Sequence, residues 1–154
     1  MHKTKKKIVE NYLVCVDESK EFLDALDYAC YNAEKNKMGL ILFYVIEQEN
    51  FRHWQGVENM MQKEEESKAK ALLKKFKNII NEKYDLKIRN IIERGEKVEK
   101  LIELFSDRKL KINKLILGLS LKESDTNKII SSLTGSSRRK LSLPITIVPG
   151  KLIN

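Results

Sequence analysis

The chain has no apolar run approaching the roughly 18 residues that a membrane span needs. Its opening, MHKTKKK, is basic, but the apolar stretch inside the following IVENYLVCVDES is too short and too soon interrupted for a secretory leader. A cytoplasmic protein is therefore expected. Cysteine is equally sparse. Cys15 lies in the apolar run YLVCV and Cys30 on an apolar helical stripe, so both read as small buried hydrophobes. Two cysteines without a C-x-x-C spacing argue against a disulfide framework or a zinc site. His2 and His53 have no partner at ligand spacing, and no metal is expected. The sequence also lacks a serine–histidine–acid set and a P-loop lysine motif, so no enzymatic activity is expected.

What is present points to a folded α/β chain. The 154 residues are 42% hydrophobic and 34% charged, a balance that excludes global disorder and suits one domain over 1–154, with 1–7 a basic, mobile start. Thirty Lys and Arg against 22 Asp and Glu give a net charge of +8, which attracts polyanions at long range. In the sequence, however, the lysines are spread among glutamates, as in KEEESKAK (63–70), which reads as a solvated helix face with i,i+4 pairs. A nucleic-acid partner is accordingly not the expectation.

Apolar periodicity orders the chain. NYLVCVD (11–17) and LILFYVIE (40–47) are short continuous apolar runs, the pattern of strands covered on both faces. Between them Phe22, Leu26, Ala29 and Ala33 recur at helical spacing, with Ser19 as N-cap and Gly39 as stop. Residues 55–83 are helical again, with Ala69, Leu72, Leu73, Phe76, Ile79 and Ile80 on one stripe. A strand over 86–95 ends at Gly95, and Val98, Leu101, Ile102 and Phe105 mark a third helix. INKLILG (112–118) is a buried strand with a glycine at its end. A short helix near 136–141 then leads to the last strand in LPITIVPG. Such alternation specifies a parallel sheet with helices on both faces, whose ligands bind outside the carboxyl ends of the strands. Asp17, Val45 to Glu47, Gly95 and Gly118 fall at those ends.

These stretches resemble the universal stress protein family. YLVCVDESKEFLDALDYACYNA resembles its opening strand, acid, serine and first helix, LILFYVIE its second strand, and KLILGLS…TGSSRRKLSLPITIVPG its glycine-containing end. FRHWQGVENMMQKEE resembles a stretch found in a bacterial subgroup; Phe51–Trp54 reads either as a lining of the cleft or as an amphipathic cap. The resemblance implies a three-layer, doubly wound, flavodoxin-like sheet of five parallel strands in the order 3-2-1-4-5. It also implies a homodimer through the last strand, Leu143 to Val148, whose apolar edge would otherwise invite unwanted pairing.

Some members of the family bind ATP through a pattern of Gly, two residues, Gly, nine residues, Gly, then Ser or Thr. The glycines let backbone N–H groups approach phosphate, and the final pair opens a helix whose N-terminus attracts anions. Gly118 matches the first glycine and Gly135–Ser136 the last pair, but Leu121 occupies the second position. Sixteen residues, rather than the pattern's twelve, separate Gly118 from Gly135. By the same resemblance Asp17 would contact ribose or a metal, Val45 the base, and Gly118, Gly135, Ser136 and Ser137 the phosphates. Gly95 would border the site, with Arg138 and Arg139 to neutralise charge. Plainer roles stand beside these: Asp17 as an acid at a helix start, Gly118 as a turn residue, and the arginines as solvated groups. Two functions stay open, a stress-response module holding ATP (with Mg) or AMP, and a protein-interaction module with a vestigial cleft. A basic nucleic-acid binder is a lesser alternative.

Overall fold

The computed structural model describes residues 9–47, 55–119 and 125–150. Along the chain run β1 (Asn11–Cys15), α1 (Lys20–Lys35), β2 (Gly39–Ile46), α2 (Gln55–Lys83), β3 (Ile88–Arg94), α3 (Lys97–Ser106), β4 (Ile112–Leu119), α4 (Asp125–Thr134) and β5 (Ile145–Pro149). Two 3-10 turns, Arg108–Leu110 and Arg138–Lys140, precede β4 and β5. The strands form one sheet in the order β3-β2-β1-β4-β5, every neighbouring pair parallel. Leu13 sits between Ile41 and Leu115 at its centre. This is the doubly wound five-stranded order that the sequence resemblance implied.

Side-chain alternation along the strands divides the core into two layers. Tyr12, Val14, Leu40, Leu42 and Ile116 face α1 and α2, whereas Leu13, Ile41, Phe43, Leu115 and Leu117 face α3 and α4. On the first face α1 buries Phe22, Ala25, Leu26, Ala29, Cys30 and Ala33, the 3.6-residue stripe visible in the sequence. The Phe22 and Phe76 rings meet edge to face at 5.1 Å and tie α1 to α2. Ser19 caps α1 as expected, its hydroxyl accepting the Phe22 N–H at 3.1 Å. The helix ends before Gly39, however: Asn36 is the C-cap, Lys37 takes the left-handed conformation at φ 57°, and Gly39 opens β2. Lys70 pairs with Glu66 one turn away on the exposed face of α2, as the charge pattern there anticipates.

One expected element is misplaced in the sequence reading. The crossing helix between β4 and β5 is α4, over Asp125–Thr134, and the expected helix at 136–141 is only the 3-10 turn at Arg138–Lys140. Ile129 and Leu133, one turn apart, are the buried contacts of α4. Residues 1–7, Phe51–Trp54 and Leu121 lie outside the described residues. Among the described helices none is long and apolar enough to cross a membrane.

Candidate functional site

Chain order reverses between β1 and β4, because β2 and β3 build outward on one side of β1 and β4 and β5 on the other. The strands splay their following loops apart at such a point and leave a crevice at their carboxyl ends. There Val14 pairs with Ile116, which brings the segment after β1 beside the end of β4. The resulting hollow is lined by Cys15, Asp17, Phe43, Val45, Lys97 and Ile129, among others. Its volume is about 20 Å³, room for about one water molecule.

Asp17 and Val45 thus stand where the sequence placed them. Asp17 also organises the start of α1: its Oδ1 accepts the Ser19 N–H at 2.7 Å and the Ser19 hydroxyl, the same hydroxyl that caps Phe22. The plain role and the site role coexist in one carboxylate. Lys97, the first residue of α3, was not anticipated; it lines the same hollow as Asp17 and Cys15, and its charge acts on the Cys15 thiol. Burial pushes the Cys15 thiol up to about 12, with the Lys97 charge opposing and the Asp17 charge adding. A thiol so raised is protonated at neutral pH and is a poor nucleophile. The N-terminus of α3 is capped from within, since Glu96 accepts the Val98 and Glu99 N–H groups at 3.0 and 2.8 Å.

The glycines and serines fall elsewhere. Gly95 has φ 141°, a conformation that side chains rarely adopt, and donates its N–H to Ile46 O at 3.1 Å. It ends the edge strand, separated from β1 by β2, and is not among the residues lining the hollow. Gly118 is where β4 meets α1: a Cβ there would lie 2.6 Å from Glu21 O and 3.4 Å from the Ala25 Cβ. Its bare Cα therefore faces α1, on the sheet face opposite α3, and allows the helix and strand to approach closely.

Gly135, Ser136 and Ser137 depart furthest from expectation. They follow the carboxyl end of α4 instead of opening a helix. The Ser137 N–H donates back to Ser132 O at 2.8 Å, and Arg138 donates its backbone N–H and its guanidinium to Gly135 O at 3.2 and 2.9 Å. This is a carbonyl-rich helix end, satisfied by cations, and anions are disfavoured there. It also lies about 9 Å along the helix from Ile129, on the side away from the hollow, given 1.5 Å of rise per residue. Arg138 and Arg139 go with it. Among the described residues, the expected phosphate contacts Gly135, Ser136, Ser137, Arg138 and Arg139 are accordingly not gathered with Asp17 and Val45. Nor, among the described residues, does any group of three or more His, Cys, Asp or Glu stand together as a metal requires.

Comparison with known proteins bears on the fold and family. A search of solved structures finds the universal stress protein UspA from Lactobacillus plantarum, 14% identical, with a TM-score of 0.69 over 90% of this chain and 97% of that one. It also finds a universal stress protein in complex with cAMP, 17% identical, TM-score 0.64, covering 93% and 98% of the two chains. A third is a member of the universal stress protein family from Burkholderia pseudomallei, 14% identical, TM-score 0.60, covering 91% and 96%. A search of curated protein sequences gives no significant match. The sequence profile of the Universal stress protein family matches residues 9–149, from two residues before β1 to the last residue of β5. With that span matched and the sheet order as described, the chain belongs to the universal stress protein family.

Proposed function

We propose that this protein is a non-enzymatic stress-response module that works by docking to macromolecular partners, with a nucleotide cleft lacking its phosphate half. The observation that carries this reading is the position of Gly135–Ser137 at the carboxyl end of α4, away from the crevice. The neutral Cys15 thiol and the commitment of Asp17 to Ser19 support the non-enzymatic part. The module acts as a homodimer through β5, which pairs with β4 alone among the described strands and exposes Ile147.

A second reading rests on Asp17 and Val45, which still line one hollow, and on the structural neighbour solved with cAMP. In it a mononucleotide occupies the adenosine half alone. Thermal shift separates the two. The melting temperature should stay within about 1 °C on adding roughly 5 mM ATP with Mg, AMP or cAMP, because a ligand stabilises only in proportion to its occupancy. A rise of several degrees with ATP overturns the proposal. A rise with AMP or cAMP alone establishes the second reading in its place.

A further inference from the structure

The fold collects positive charge that the sequence disperses. Helices α3 and α4 lie on the same face of the sheet and feed the adjacent strands β4 and β5, so the connections 107–111 and 135–144 enter neighbouring strands at one edge. Leu115 N–H bonds to Pro144 O at 3.0 Å where the two meet. These connections carry Arg108, Lys109, Lys111, Arg138, Arg139 and Lys140, all exposed. Among the described residues none of the six is ion-paired. Arg138 alone is engaged, on Gly135 O. The only acid in the two connections is Asp107, which accepts the Lys109 N–H at 3.0 Å, while Glu10, ahead of β1, accepts a hydrogen bond from Asn113. At the opposite edge the described connections carry Asp17, Glu18, Glu47 and Glu96 and no cation.

From this segregation we infer that the amino-terminal edge of the sheet, around the two 3-10 turns, is a docking surface for the phosphate backbone of duplex nucleic acid. Part of such charge stabilises the negative ends of α3 and α4, as Arg138 does, but one cation per helix end serves that purpose. The chemistry of the surface selects among polyanions. Among the described residues the exposed large hydrophobics are Leu23, Tyr28, Tyr31, Met60, Ile79, Leu119 and Ile147, and none belongs to these connections. The surface therefore offers neither an apolar anchor for a bilayer nor an aromatic platform for unstacked bases. What it offers is a cluster of cations on short turns, suited to sequence-independent contact with closely spaced phosphates.

Fluorescence anisotropy with a labelled duplex of about 24 base pairs, of arbitrary sequence, tests this. Binding should be present at roughly 50 mM salt and weaken linearly in log–log form as salt rises. Lys109→Gln, Arg139→Gln and Lys140→Gln together should reduce affinity on the order of tenfold and make the salt slope shallower by about 2 to 3. An equal loss of charge on α2, through Lys63→Gln, Lys68→Gln and Lys74→Gln, should change affinity less than about twofold. Circular dichroism and thermal melts establish that both triple variants are folded. The inference is overturned by absence of binding at low salt, by equal losses in the two variants, or by binding to phosphatidylserine vesicles without binding to the duplex.

Discussion

Cys15, in β1, and Cys30, in α1, pack on opposite faces of the sheet. Burial pushes both thiols from the ordinary 9.0 up to about 12, and the carboxylates of Asp27 and Glu34 reinforce the effect at Cys30. In the unfolded chain the thiols ionise near 9, whereas in the folded protein they hold their protons until about 12. Across that window the unfolded state binds fewer protons, so stability falls as pH rises. Tyr84, raised to about 12 by burial and its hydrogen bond to Asp27, adds to the fall. Urea midpoints should be nearly flat from about pH 7 to 8.5 and decline above about 9. In a Cys15→Ala, Cys30→Ala double variant the decline should be shallower; an identical decline would show that the thiols do not carry it. The burial of Cys30 was legible in the sequence because it lies on an apolar stripe, whereas Cys15, in an apolar run, is only half-buried because it lines the hollow at the end of β1. Lys97 was not legible. It reads as a solvated residue in the first turn of an amphipathic helix, and only the packing of α3 over the strand ends brings it to Asp17.

At the scale of elements, the strands and three of the helices were readable because their apolar periods are long and unbroken. α4 was not. Its sequence, DTNKIISSLT, is rich in Thr, Asn and Ser, which compete with helical hydrogen bonding and lower propensity, and among its described side chains it buries only Ile129 and Leu133 in full. The following SRRKL contains better helix formers, but the chain turns there toward β5 and closes only one 3-10 turn. That single shift moves Gly135–Ser137 from the start of a helix to the end of one, and with it the charge they would attract. Gly118 shows the complementary case, a glycine whose presence was legible and whose reason was not. It permits α1 to cross β4 at backbone contact, so the obstacle to a side chain is the Glu21 carbonyl rather than a movable group. Gly118→Ala should cost about 1 to 3 kcal/mol in urea denaturation, the usual range for overpacking. A variant as stable as the wild type would show that α1 can shift freely. Gly118→Asp, which would test phosphate entry in a protein with an intact cleft, should here disrupt folding.

Among the described residues the strand connections are acidic at the carboxyl edge and basic at the amino edge, while one side of the sheet is open and apolar, and this last feature bears on assembly. β3 closes one side of the sheet with half-buried and exposed residues, several charged. β5 differs, since Ile147 is 41% exposed and flanks a groove of about 530 Å³ lined by Tyr28, Tyr31 and Tyr84. Tyr31 is 60% exposed on the α1 side of that groove. An edge strand with unpaired N–H and C=O groups beside exposed aromatics is costly to leave bare, and a second copy of β5 would satisfy both the backbone and the groove. Pro149, at the strand's end, leaves the backbone N–H groups of the residues before it free to pair. Sedimentation velocity at micromolar concentration should give a dimer. Ile147→Lys, placing a charge on the exposed edge, should shift the protein to monomer while its melting remains cooperative. A wild-type protein that sediments as a monomer across that range ends the dimer reading, and a dimer unaffected by Ile147→Lys moves the interface away from β5.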